Sequence, residues 1–154
     1  MKRYNVAVVG ATGMVGRTFV NLLEERNFPI AEIRLLASVN SEGETIKFLT
    51  QDTTLEVLKE NSFQGIDIAA ESGAIVIDNS SAFRLSERVP LVVPEVNAHT
   101  LKTHRNIIAN PNCSTIQMVV AAYPLHLAAS IKRIVVSTYQ AVSGTGTSAV
   151  QELQ

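Results

Sequence analysis

Residues 4–25, YNVAVVGATGMVGRTFVNLLEE, change hydrophobic period within a few positions, and this change restricts the fold more than any other feature of the chain. Val6, Ala7, Val8 and Val9 form a short continuous apolar run, the pattern of a parallel strand covered on both faces. Past Gly16 the spacing becomes helical, with Phe19, Leu22 and Leu23 predicted to share one face. Between the two stand Gly10, Gly13 and Gly16, a G-x-x-G-x-x-G variant of the dinucleotide-binding turn. Glycines at such a junction permit a tight bend and close approach of backbone to a pyrophosphate. The helix start adds unpaired N–H groups and a partial positive charge. Thr12 offers a hydroxyl donor. A strand–turn–helix junction that binds nothing would need the same glycines, but their place between a buried strand and an amphipathic helix favours a nucleotide cradle. The fold class expected is α/β, a Rossmann-type doubly wound sheet with mainly parallel strands.

A second strand, EIRLLAS, follows a turn at Asn27–Pro29. NAD-binding folds place an acid at the end of this strand to hold the ribose diol. Here the end reads ASVNSEG, with Ser38, Asn40 and Ser41 and no acid before Glu42, so nothing repels a 2′-phosphate and NADP fits better than NAD. No arginine occurs in that loop either. Further on, GIDIA (65–69) and AIVIDNSSAFR (74–84) both begin as strands, with only Ala70–Gly73 between them. Parallel neighbours need a crossover of roughly a dozen residues. Either the pair is an antiparallel hairpin or a strand end, loop and helix start are missing. AAES reads as a helix tail and Gly73 as its terminating glycine, which favours the second.

RNIIANPNCSTIQMVVAAY repeats the strand-to-helix pattern. Ile107 and Ile108 belong to a strand, Asn110–Asn112 turn, and Ile116, Val119, Val120 and Tyr123 share a helical face that Pro124 should kink or end. Cys113, the only cysteine, falls in the first turn, where the helix dipole stabilises an anion, and Asn112 or Ser114 would cap it. Cysteine is also among the most buried and inert residue types, so position alone leaves an ordinary core residue open. IKRIVVSTYQAVSGTGTSAVQEL predicts another strand, a polar turn and a helix start. Gln140 near that strand end could orient a substrate or simply be exposed. Arg84, after DNSSAF, could offer a forked donor to phosphate or carboxylate, or be solvated. His99, His104 and His126 lack metal-site spacing, so no metal is expected, and His99 and His104 are predicted exposed.

The 154 residues, 46% hydrophobic, suit one compact domain, and 13 Lys+Arg against 14 Asp+Glu give no support for nucleic acid or an anionic membrane as partner. MKRYNVAVVG lacks a secretory core, and no stretch reaches the ~20 apolar residues of a membrane span. With one cysteine and no internal disulfide, a reducing, cytoplasmic location is expected.

Taken together, VAVVGATGMVG, VIDNSSAFR, PLVVPEVN, NPNCSTIQMV and STYQAVSGTG resemble aspartate-semialdehyde dehydrogenase, from Val6 to the last residue. The similar N-acetyl-glutamyl-phosphate reductases carry glycine where this chain has Asn112. The resemblance implies an NADP-binding Rossmann domain over residues 1–128, carrying the catalytic cysteine. Residues 129–154 would be the truncated start of a second α/β domain for substrate and dimerisation. It implies NADP-dependent interconversion of L-aspartyl 4-phosphate with the semialdehyde and phosphate, on the route to lysine, methionine and threonine, by a homodimer or homotetramer. Cys113 would be the nucleophile forming a thioacyl intermediate, Gln140 would position substrate and Arg84 would bind phosphate. Thr12, Gly13, Met14 and Val15, flanked by Gly10 and Gly16, would contact the dinucleotide. Ser38, Asn40 and Ser41 would lie near its adenosine end, and Ser143 and Gly144 near the nicotinamide. The chain departs from the pattern in three places. Asn40 stands where many members have arginine, the link at Ala70–Gly73 is short, and the acid/base histidine and carboxylate-binding arginine have no counterpart before Gln154. The chain is therefore expected to be an inactive fragment; the alternative is a non-catalytic module that binds NADP and senses it.

Overall fold

The computed structural model describes residues 2–68, 75–145 and 147–153. Strand β1 (Tyr4–Val9) buries Val6 and Val8 on one side, while Ala7 on the other packs against Leu36, Phe63 and Ile66. Helix α1 (Met14–Glu25) covers the first side, and its buried residues are Gly16, Val20 and Leu23. Phe19 and Leu22, predicted on the buried face, are exposed. The cause is Gly16: a Cβ there would overlap the Gly10 carbonyl oxygen, so the helix lies with its glycine flat on the turn. That contact rotates the stripe i, i+4, i+7 from residue 16 toward the sheet.

Strand β2 (Ile30–Ala37) runs parallel to β1, with Val6 opposite Ile33 and Val8 opposite Leu35. Its consecutive Leu35 and Leu36 are both fully buried, which requires cover on both faces; each contributes about 2 kcal/mol of apolar burial. On the Leu36 side the cover is a loop, not a helix. Arg34 pins it, donating from Nη1 to the carbonyls of Ser62 (2.7 Å) and Gln64 (3.2 Å) and from Nη2 to Glu32 Oε1 (3.0 Å). Strands β3 (Thr45–Phe48) and β4 (Gln51–Val57) form an antiparallel hairpin, and β4 pairs parallel with β2, giving the order β1-β2-β4-β3. Ile46 and Phe48 alternate inward from the edge strand.

On the other side of β1, Ile68 bridges Val6 in parallel and Ile75 bridges Ile68 in parallel. The antiparallel hairpin considered from sequence is thereby overturned; Ala70–Gly73 themselves lie outside the described residues. Only residues 69–74 join the two partners, and a parallel pairing must be retraced by its connection. Among the described residues the pairing is a single bridge.

Contacts divide the chain into two compact units, Met1–Ile75 with Thr145–Gln154, and Val76–Gly144. The second contains β5 (Val76–Asp78) parallel to β6 (Ile107–Ala109), the short α2 (Pro94–Asn97) and the long α3 (Cys113–Ala129). Pro124 does not end α3, which runs on to Ala129 and closes at Ser130 in the left-handed conformation (φ 52°). Proline removes one intrahelical bond, and the Ala- and Leu-rich turns around it are strong helix formers. Residues 131–140, predicted as a strand, form none: Val135 is 77% and Tyr139 100% exposed, and among the described residues no neighbour supplies a ladder. The predicted helix start is present as α4 (Thr147–Leu153), after a 3₁₀ turn at Val142–Thr145. Among the described residues no helix is long and apolar enough to cross a membrane.

Candidate active site

The glycine turn leaves the carboxyl end of β1 and is hung on β2, since Gly10 and Ala11 both donate their N–H to the Leu36 carbonyl (2.9 and 3.1 Å). This sets the turn beside the loop that starts at Ser38, where Ser38 and Asn40 are exposed and Ser41 half-buried. Gly10 has φ +69°, a conformation glycine adopts freely, and a Cβ on it would stand in open space. Gly13 is the N-cap of α1 and has no side chain to cap with, and the first turn holds no acid. The first-turn amides of exposed Met14 and Val15 are thus left for an external acceptor. Open space at the bend, uncapped amides and a helix dipole of the right sign fit an anionic pyrophosphate. Half-buried Thr12 accepts from Arg17 Nε at 3.0 Å through its backbone carbonyl, which holds a guanidinium beside the turn. Sequence reasoning missed Arg17. It directly follows Gly16, and a glycine pattern gives no hint of it, because such a pattern records only where side chains are absent.

The thiol is built from the ends of β5 and β6. Asp78 lies opposite Ala109, and Asn110 N–H donates to the Asp78 carbonyl at 2.8 Å. Half-buried Arg84 donates from Nε to the Asn110 carbonyl and from Nη2 to the Asn79 carbonyl, each at 3.0 Å. Asn110 Nδ2 donates to Asn79 Oδ1 at 2.7 Å. The Asp78 carboxylate takes the Ser80 N–H and hydroxyl (3.2 and 3.0 Å), which folds the DNSS run back on itself. Pro111 is buried, and Asn112 is the N-cap of α3, its Oδ1 accepting from Ser114 N (3.1 Å) and Thr115 N (3.4 Å). Cys113 is the first helical residue and is exposed, so the core reading of this cysteine is excluded. The sulfur is thus accessible to a reagent or substrate at the start of a helix. Asn112→Ala should lower stability by about 1 kcal/mol, the usual contribution of such a cap. Asn112→Asp should restore the loss; urea midpoints of the three proteins check both.

Arg84 and Cys113 are therefore joined through Asn110. Gln140 is exposed, its Nε2 donating to Thr138 Oγ1 at 3.3 Å, and among the described residues no hydrogen bond ties it to the thiol loop. Ser143 is half-buried and Gly144 exposed in the 3₁₀ turn. From Cys113 to His126 the helix advances about 20 Å, and His126 lines an apolar cavity of about 430 Å³ with Met118, Tyr123 and Ile134 instead of approaching the sulfur. His99 is exposed, but His104 is half-buried, contrary to expectation, and its Nδ1 accepts the Asn106 N–H at 3.1 Å. Among the described residues no cluster of His, Cys, Asp or Glu could hold a metal. No residue of α3 is buried, including Ile116, Val119, Val120 and Tyr123, although the helix is apolar around most of its circumference.

Two family models match the chain. "Semialdehyde dehydrogenase, NAD binding domain" takes in residues 5–70 and 66–104, and "Semialdehyde dehydrogenase, dimerisation domain" residues 123–154. An aspartate-semialdehyde dehydrogenase of Aquifex aeolicus is 55% identical over 170 residues, covering 98% of this chain and 50% of the relative. The crystal structure of aspartate semialdehyde dehydrogenase II of Vibrio cholerae complexed with ASA superposes with a TM-score of 0.88 at 43% identity, covering 99% of this chain and 51% of that one. That of Candida albicans with NADP gives 0.63 at 26% identity, covering 82% and 48%. The chain spans about half the length of the curated relatives it matches. The first family model is matched in two runs that overlap at residues 66–70, and 98% of a chain of 154 residues is matched over 170, so the relative carries residues inside the matched span that this chain lacks.

Proposed function

The chain belongs to the semialdehyde dehydrogenase family, and from that premise we propose that it is the cofactor-binding and thiol-bearing half of an aspartate-semialdehyde dehydrogenase. Its reaction would interconvert L-aspartyl 4-phosphate with the semialdehyde and phosphate. The observation that carries this is an exposed Cys113 at the Asn112-capped start of α3, with Arg84 tied to the same loop. Cys113 attacks the acyl carbon, a C–S bond forms and phosphate leaves; a thiolate both attacks and departs from acyl carbon readily. Arg84 keeps Nη1, among the described residues, clear of protein acceptors and can meet the phosphate oxygens. When bound, NADPH would supply hydride to the thioacyl carbon, and Cys113 would leave as thiolate when the C–S bond breaks. Gln140 holds the substrate by its amide.

Gly10, Thr12, Gly13, Met14, Val15 and Gly16 cradle the pyrophosphate. Ser38, Asn40 and Ser41, neutral and at the end of β2, accept the adenosine ribose with its 2′-phosphate, and the family resemblance assigns Ser143 and Gly144 to the nicotinamide end. The Candida albicans relative solved with NADP supports the choice of NADP. Residues 1–128 constitute the cofactor domain and 129–154 open the substrate and dimerisation domain, through which the complete protein forms a homodimer or homotetramer in the cytoplasm. The match of residues 123–154 to a dimerisation domain supports the assembly through that domain.

Thermal unfolding of this chain tests the cofactor half directly. NADP should raise the midpoint, by about 1.4 kcal/mol of stability for each tenfold excess over Kd, and NAD should act only at higher concentration. Equal response to NAD and NADP would remove the 2′-phosphate assignment, and no response to either would remove the cradle.

A further inference from the structure

We propose that Asn79 is a positioning residue for the thiol, acting through Asn110; the proposal rests on the reading of Cys113 as nucleophile. Three bonds hold Asn110: its N–H to the Asp78 carbonyl, its carbonyl to Arg84 Nε, and its side-chain amide to Asn79 Oδ1. The first continues the β5–β6 ladder and the second belongs to a residue already placed at the substrate phosphate. The third is a neutral link of 2.7 Å between the two loops, from residues 31 apart in sequence. Only Pro111 and Asn112 separate Asn110 from the sulfur. Proline fixes its own φ and Pro111 is buried, so a shift of Asn110 passes to Asn112 with little slack. Asn112 Oδ1 in turn holds Ser114 N and Thr115 N, the amides that define the start of α3. Asn79 is itself held by its carbonyl on Arg84 Nη2, and the adjoining Asp78–Ser80 turn stiffens the strand exit. The amide of Asn79 thus sets where the helix begins, and with it where the Cys113 sulfur stands against the first-turn amides.

The test is the rate of Cys113 alkylation by iodoacetamide in this chain as a function of pH, with folded content followed by circular dichroism. Asn79→Ala should slow alkylation at neutral pH by about fivefold, the factor one neutral hydrogen bond carries. The two rates should converge at high pH, where any thiol is ionised; a simple change of access would not converge. Asn79→Asp keeps an acceptor for Asn110 Nδ2 and should recover most of the rate. Asn79→Ala with Asn110→Ala should be no slower than Asn110→Ala alone, since both remove one bond. Should Asn79→Ala fail to fold, Asn79→Ser, too short to reach Asn110, makes the same comparison. A rate for the Ala or Ser variant equal to the native one at equal folded content, or an Asp variant as slow as Ala, overturns the proposal while leaving Cys113 as nucleophile. A native thiol no faster than free cysteine at neutral pH overturns both.

Discussion

Cys113→Ala, made in a protein that joins this half to the remainder found in its relatives, is expected to remove phosphate-dependent NADPH formation from the semialdehyde by at least about 10⁴-fold, the scale on which loss of a covalent nucleophile acts. The exposed sulfur at the first position of α3 is the only thiol in this half, so no other thiol of this half can substitute for it. Cys113→Ser should lose almost as much, because a hydroxyl is scarcely ionised near neutral pH and alkoxide is a poor leaving group from a tetrahedral adduct. NADP binding should survive both changes, since the proposed cradle lies at the ends of β1 and α1 and in the loop after β2, away from Cys113 in the sequence. Intact NADP binding together with intact turnover in Cys113→Ala would sink covalent catalysis. Intact binding with no turnover even in the native full-length protein would instead favour a module that senses the cofactor.

The parts of this fold that were legible in the sequence are those decided within a few residues. The apolar run of β1, the glycine bend and the cap of α3 each act over one turn of chain; the first two are found where expected, and of the two caps considered the structure uses Asn112. The hairpin of β3 and β4 left little trace, since its bend carries Leu49 at φ 55° where glycine or asparagine would have marked it. The face of α1 was misjudged because counting apolar residues favours Phe19 and Leu22, whereas a residue without a side chain, Gly16, orients the helix. Residues 131–140 have the composition of a strand, but a strand is made by its neighbour, and none pairs with it among the described residues. The link from Asn79 to Asn110 spans 31 residues and depends on how β5 and β6 lie side by side, which no local pattern encodes. The short connection after Ile68 was legible by length alone, and the family model, matched in two runs that overlap at residues 66–70, points to the same place.

Gly16→Val is expected to lower the stability of the unit carrying the cradle by about 3 kcal/mol and to remove the NADP-dependent rise in unfolding temperature. The first added carbon would overlap the Gly10 carbonyl oxygen and stand 2.8 Å from the Ala11 Cα and 2.9 Å from the Gly10 carbonyl carbon. All three are backbone atoms, so no side-chain rotation relieves the contact. The turn cannot yield toward the sheet either, because Gly10 and Ala11 are bonded to the Leu36 carbonyl and Ala11 is fully buried. The helix must therefore retreat, which draws Val20 and Leu23 away from the core they share with Val6, Val8 and Leu35. Its first-turn amides move with it, and those are the groups proposed to hold the pyrophosphate. Gly16→Ala should show the same two effects on a smaller scale, since the better helix propensity of alanine returns about 1 kcal/mol. Gly13→Ala makes the graded comparison: its Cβ would stand 3.3 Å from the Gly10 carbonyl oxygen, tight but short of overlap, so it should cost less stability than Gly16→Val. Urea midpoints with and without NADP separate the three proteins. A Gly16→Val variant as stable as the native chain would mean that α1 does not rest on the glycine turn. One that is destabilised but still gains stability from NADP would place the cofactor elsewhere.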